Sequence, residues 1–221
     1  NAELQASRQL ELNAQQLSAM HIDVGAGSLT VRGTADSDRV RATAEVWQVK
    51  ASNDYVLELV QDGKRAVLEA DIDSGSGNRI DLIVSVPEQL QLDMRDGSGS
   101  IDLMDVQGNV RIEDGSGSIK VRNLGGTLEI EDGSGSTSVL DVRGDITIND
   151  GSGSISVRDA GGDLDIRDGS GSITVQGIIG VVRINDGSGS ISVDGAGDFE
   201  LLSDGSGSVN TRNIGENNGY D

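Results

Sequence analysis

From residue 96 onward, the apolar and polar positions of the chain recur every 18 residues. One unit reads DGSGSIKVRNLGGTLEIE (residues 114–131). Counting from its Asp, position 6 holds Ile101, Ile119, Thr137, Ile155, Ile173, Ile191 and Val209. Position 8 holds Leu103, Val121, Val139, Val157, Val175, Val193 and Thr211. Position 15 runs Val110, Leu128, Ile146, Leu164, Val182, and position 17 runs Ile112, Ile130, Ile148, Ile166, Ile184, Leu202. Each pair is separated by one, usually polar, residue. That is the period-two pattern of a strand with one buried face, and the β-branched majority suits strands. Position 13 is glycine in the first five units (Gly108, Gly126, Gly144, Gly162, Gly180).

Residues 96–221 divide into seven such units with no remainder. Each unit is two nine-residue halves, as in DGSGSISVR followed by DAGGDLDIR. Two short strands and two Gly-rich turns per 18 residues predict an all-β fold. It is a β-solenoid (parallel β-helix) in which each coil buries its apolar face on its neighbours. At one strand spacing per coil, seven coils span about 34 Å. A stack of β-hairpins competes, but identical turns in identical register stack better as parallel coils. A triangular left-handed helix also uses 18 residues per coil and wants an apolar residue every six. Positions 5, 11 and 17 are Ser, apolar, apolar, so the handedness stays open, although crossovers in general favour right.

Residues 1–95 are less regular but β-rich, and are expected to form irregular N-terminal coils that cap the same continuous domain. HIDVGAGSLTVRG (residues 21–33) looks like a degenerate coil. RVRATAEVWQV, YVLELVQDGKRAVLEADI and NRIDLIVSVPEQLQLDM alternate as longer strands, and VQDGKRAV carries the Asp-Gly turn of a hairpin. ELQASRQLELNAQQLSAM has helix propensity, but RQLELNA alternates, which favours a strand. At the far end DGAGDFELLS breaks the register with Phe199 and Glu200. The last unit puts Thr211, Asn218 and Tyr220 at core columns, a polar coil that would stop further strands from adding.

Composition narrows the function classes. The chain has 221 residues, with 37 acidic and 17 basic side chains and a net charge of −20. Such a surface repels nucleic-acid phosphates and anionic lipid and attracts cations or basic proteins. There is no cysteine, so no disulfide framework, thiolate zinc site or thiol chemistry. No apolar run is long enough to insert in a membrane. A first residue of Asn fits either a mature chain with its signal peptide removed or a trimmed piece of a longer one. With 32 glycines and 2% aromatics the composition alone suggests disorder, but the strict period overrides that.

The repeated DGSGSIxVxxVxG coils, preceded by VPEQLQLDMRDGSGS and by VGAGSLTVRG, resemble the bacterial "putative adhesin" family of β-strand-repeat domains of unknown function. The resemblance runs from His21 to the end. It implies export to the periplasm or cell surface and a non-enzymatic role, and it brings no catalytic residues.

Two rows of side chains are candidates for chemistry. Stacking sets Asp96, Asp114, Asp132, Asp150, Asp168, Asp186 and Asp204 about 5 Å apart, where each ionised pair repels by roughly 0.8 kcal/mol in water. Asx-turns, with each carboxylate accepting N–H groups of its own turn, would offset this. So would a row of calcium ions, the one cofactor the pattern suggests. The calcium-binding Gly-Gly-x-Gly-x-Asp repeat of secreted toxins does not match, because the place of its Asp is filled by Ile101, Ile119 and Ile155. The second row is Ser98, Ser116, Ser134, Ser152, Ser170, Ser188 and Ser206, with a further serine at position 5 (Ser100, Ser118, Ser136, Ser154, Ser172, Ser190, Ser208). These suit tight turns, and they would also make a regular hydroxyl array for an ordered surface such as ice or a crystalline glycan.

Catalysis has little support. His21 is the single histidine, and there is no Ser-His-Asp set or His-rich metal cluster. Asp163 and Asp165 could mimic a glycosidase pair, but a solvated strand face explains them more simply. Trp47 and Tyr55 lie close in sequence and read as core or a local patch. The expectation is a non-enzymatic, exported envelope or surface protein, adhesin-like or structural. An envelope partner and self-association both stay open. A cation- or ice-binding solenoid is the alternative, and a carbohydrate-active β-helix enzyme the third reading.

Overall fold

The computed structural model describes residues 1–36 and 38–215. The strands are β1 (Glu3–Asn13), β2 (Ala19–Thr34), β3 (Arg39–Gln48), β4 (Tyr55–Asp62), β5 (Arg65–Ile72), β6 (Arg79–Pro87), β7 (Gln91–Val106), β8 (Val110–Asp114) and β9 (Gly117–Leu124). They continue with β10 (Leu128–Asp132), β11 (Gly135–Val142), β12 (Ile146–Asp150), β13 (Gly153–Ala160), β14 (Leu164–Asp168), β15 (Gly171–Asp186), β16 (Gly189–Asp204) and β17 (Gly207–Ile214). A short 3-10 turn at Gly75–Gly77 is the helical exception. Among the described residues no helix is long and apolar enough to cross a membrane.

The repeat folds as a β-solenoid. From β7 onward every pairing is parallel, and outside one stretch of β15–β16 the register is 18. Asp96 lies over Asp114, Ile101 over Ile119, and Ile148 over Ile166. Each coil contributes one strand to each of two faces. The long face takes positions 4–11 (β9, β11, β13), and the short face takes position 15 to the next Asp (β8, β10, β12, β14). Between them lie the columns at positions 6, 8, 15 and 17, joined by position 11 (Val106, Leu124, Val142, Ala160, Ile178). Residues in these columns are buried because each coil covers the apolar side chains of the next; an exposed Ile or Val column would lose about 25 cal/mol per Å² left in water.

The N-terminal part extends the same two faces, but not in chain order. β2 is a full coil, and β7 stacks directly on it. On its other side β2 carries β5 on the short face and β6 on the long face. The chain thus inserts its first coil between two that come later. The outer layers are antiparallel: β4 on β5, β3 on β6 and β1 on β3. The β4–β5 hairpin turns through Gly63-Lys64, with Gly63 at φ 61, as a two-residue turn with glycine at its first central place requires. The stretch with mixed signals forms strand β1, whose pairing slips once between Leu4 and Ala6.

The sixth coil corrects one column. Val182 pairs with Phe199 and Ile184 with Leu201, one residue short of the period, and Asp186 returns to Asp204 at 18. Leu202 is the extra residue of this bulge and is 62% exposed. It therefore does not occupy the position-17 column as the count of 18 implies; Leu201 stands there instead. The coil is shortened once and lengthened once, so the next Asp stays in line. In the final described coil Val209 is half-buried and Thr211 exposed. Asn218 and Tyr220 lie outside the described residues.

Candidate functional site

The DGSGS corner joins the short face to the long one. Its backbone is fully engaged between coils. Gly133 N–H donates to the Asp114 carbonyl at 2.9 Å, and Gly117 N–H donates to the Ser134 carbonyl at 3.0 Å. The same two bonds recur from coil to coil through Gly151, Gly169 and Gly187, and through Gly135, Gly153 and Gly171. The position-4 glycine is dictated by this closeness. Gly117, Gly135 and Gly153 have φ near 140 (139, 139 and 144), and a Cβ on each would overlap the carbonyl oxygen of the glycine below.

The remaining N–H, that of the position-3 serine, is taken by the Asp side chain. Ser116, Ser134, Ser152 and Ser170 N–H donate to the Oδ1 of Asp114, Asp132, Asp150 and Asp168 at 3.0–3.1 Å. Asp96 with Ser98 and Asp186 with Ser188 do the same. These are Asx-turns. The serines of this row are half-buried at Ser116, Ser134, Ser152, Ser170 and Ser188, and exposed at the ends, Ser98 and Ser206.

The Asp row does not stand on the hydrated surface that a turn residue suggests. Asp96, Asp114, Asp132, Asp150, Asp168 and Asp186 are 1–6% exposed, and only Asp204, in the last described coil, is half-buried. The reason is strand phase. On β8 the buried residues are Val110, Ile112 and Asp114, so Asp is simply the third inward position. One oxygen of each buried carboxylate therefore faces the core edge. Oδ2 of Asp96, Asp114, Asp150, Asp168 and Asp186 is buried without a hydrogen-bond partner. Asp132 differs: Thr137 Oγ1 donates to its Oδ2 at 3.3 Å. Thr137 is the one residue at position 6 in the first six coils that is not Ile.

Burial acts on these acids as expected. It pushes Asp96 up to about 7 from 3.8, with the Asp114 charge adding to it and the N–H groups of Ser98 and Gly97 opposing it. Asp114 rises to about 6 through burial and the charge of Asp132. Asp150 also rises to about 6, through burial and the charges of Asp132 and Asp168, against the Ser152 N–H. Asp132 and Asp168 rise for the same first reason. Calcium asks for six to eight oxygens. Here Oδ1 is already an acceptor, and among the described residues no three His, Asp or Glu side chains form a group that could hold a metal ion.

The outer surface of the long face is a second feature. Alternation turns positions 5 and 7 outward. In coils three to six these are Ser136 and Ser138, Ser154 and Ser156, Ser172 and Thr174, Ser190 and Ser192, all exposed. Neighbouring coils put the hydroxyls about 4.8 Å apart along the rod and about 6.6 Å apart across it. This patch is uncharged on a chain of net charge −20. The position-5 column was visible as serine in every coil. Position 7 carries no such signal, because it begins with Asp102 and Lys120 and becomes hydroxyl only from Ser138 on.

The other candidates are held in local structure. Asp163 and Asp165 both face Arg183 at 3.8 Å, and Asp163 Oδ1 accepts the Val181 N–H at 2.9 Å. His21 Nδ1 lies 3.4 Å from Asp93 Oδ2 on the adjoining coil. Trp47 carries the Arg79 guanidinium 4.6 Å from its ring centroid, and Tyr55 packs half-buried against the core.

No protein-family model matches the sequence, and no curated protein matches it significantly. Among solved structures, one described as a "putative cell adhesion protein" from Clostridium sporogenes overlaps 96% of this chain and 99% of its own at 10% identity, with a TM-score of 0.35. A "putative adhesin" from Parabacteroides merdae overlaps 93% and 95% at 12% identity, with a TM-score of 0.34. At that level of overlap the likeness assigns no ligand and no activity to this chain.

Proposed function

We propose that the chain is a non-enzymatic, exported bacterial protein whose rigid solenoid presents a repetitive surface at the cell envelope, in an adhesin-like or structural role. The observation that carries this reading is the uncharged hydroxyl patch on the long face. Its spacing is set by the coil and repeats without a break over four coils. A charged partner would be met anywhere on so acidic a rod. An ordered, uncharged, hydroxyl-rich partner such as a packed polysaccharide fits this one face. Ice is the second occupant of the same chemistry, favoured by the regular two-column array.

The test is retention of the purified chain on insoluble polysaccharides, beside an assay of ice recrystallisation. Ser154→Glu with Ser172→Glu places charge in the patch at exposed positions and should abolish retention while the melting temperature holds. Retention unchanged by these substitutions removes the patch from the reading. Inhibition of recrystallisation by wild type alone moves the assignment to ice. Protease shaving of intact producing cells tests the location; a chain cleaved only after lysis contradicts surface display.

A further inference from the structure

We propose that the buried aspartate column is a proton-binding ladder, in which carboxyl groups stacked one coil apart hold protons near neutral pH, because the neutral acid relieves both the burial of an unpartnered Oδ2 and the repulsion between neighbouring rungs. The reasoning starts from a missing donor. A buried carboxylate oxygen without a partner costs more than an ordinary hydrogen bond contributes, yet five of the six buried rungs, all but Asp132, carry one. The repeat contains its own control. Where position 6 is Thr137, a hydroxyl reaches Asp132 Oδ2. At the other rungs position 6 is Ile101, Ile119, Ile155, Ile173 or Ile191, which has nothing to donate. The in-register stacking sets each aspartate one strand spacing, about 4.8 Å, from the next, close enough for ionised neighbours to repel but without a direct hydrogen bond.

No cation substitutes for the proton from within the chain. From the long face the residues beside the column are Thr137 and isoleucines. The charged groups near the corner, Arg95, Glu113, Glu131 and Arg167, precede the aspartates in sequence, and their side chains lie on the outer surface. At the first rung Asp23, Glu69 and Asp71 are also outside. The column ends at Val24, which stacks under Asp96 and offers no hydrogen bond. The upward displacement of Asp96, Asp114 and Asp150 agrees with a column that holds protons near neutral pH.

The test uses the full chain with its aspartates labelled at the carboxyl carbon. Carbon-13 resonances are followed from pH 4 to pH 8, with and without calcium. The expected result is a set of aspartates titrating between about pH 6 and about pH 7, separate from the surface carboxylates. Asp150→Asn should remove one of these resonances and about one proton of the uptake on folding, read from the pH dependence of the urea midpoint. Ile155→Thr copies the Thr137 rung and should lower the midpoint of Asp150 while the protein stays folded, which keeps the test open if the Asn variant does not fold. Core aspartates all ionised at pH 5 would overturn the ladder. So would saturable calcium stabilisation at pH 8 that moves the same resonances, since the column would then hold cations.

Discussion

Two aspartate positions of the repeat look alike in sequence and do different work. The position-1 Asp is buried, and its Oδ1 caps the turn. The position-10 residue is a bend: Asp105, Asn123, Asp141 and Asp159 have φ of 55–63, and Gly177 and Gly195 take the same place. Asp, Asn and Gly are the residues that enter this left-handed region at low cost. The position-4 glycine is less replaceable, because positive φ combines with contact to the coil below. Gly153→Ala should cost about 1–3 kcal/mol from backbone strain, with steric overlap adding to it; the urea midpoint measures this. Thr137→Val keeps the volume and removes the donor to Asp132. It should cost about 1 kcal/mol or somewhat more, because a buried acceptor is left unpaired. A midpoint unchanged by Thr137→Val would show that the 3.3 Å contact contributes nothing.

The coil is the unit at the next scale. Its two strands bury their apolar columns only against the coils above and below, so the stack is close to a sum of nearest-neighbour terms. Deleting residues 132–149 removes one whole coil and joins Glu131 to Asp150 in the same phase. The rod should shorten by about 4.8 Å, its β-sheet circular dichroism should persist, and the urea m-value should fall with the buried surface. Collapse of all structure on this deletion would contradict the stacked-coil account. The sixth coil shows how far the period bends. A one-residue shortening before Phe199 is repaired by the Leu202 bulge, because the following Asp-Gly-Ser-Gly corner must align to keep its inter-coil bonds.

For the whole molecule the ladder sets the direction of the pH response. Asp96, Asp114 and Asp150 have folded values of about 7, about 6 and about 6, above the ordinary 3.8. The folded state therefore binds more protons than the unfolded chain across this window. Their contribution is fully present below about pH 4 and is lost as pH rises through about 6 to 7. The melting temperature should be higher at pH 5 than at pH 8. General repulsion on a chain of net charge −20 has the same sign, so a surface variant is needed. Glu129→Gln should leave the slope nearly intact, whereas Asp114→Asn should flatten it. A melting temperature that rises toward pH 8 would refute the account.

The sequence by itself determined the coil. An exact period of 18 with two alternating pairs admits few arrangements that bury every pair, and the inward columns at positions 6, 8, 15 and 17 follow from strand phase. The same phase, carried two residues past position 17, points Asp inward. That signal was present but competed with turn chemistry, which puts Asp-Gly-Ser on the surface. Only the tertiary structure decided between them, because exposure depends on the coil packed on each side. It also decided that β2 lies between coils from later in the chain, since stacking order is set by which edges pair and not by which come first. The place of the hydroxyl patch was decided there as well. It needs position 5, visible in every coil, and position 7, which becomes a surface only when coils three to six lie in register.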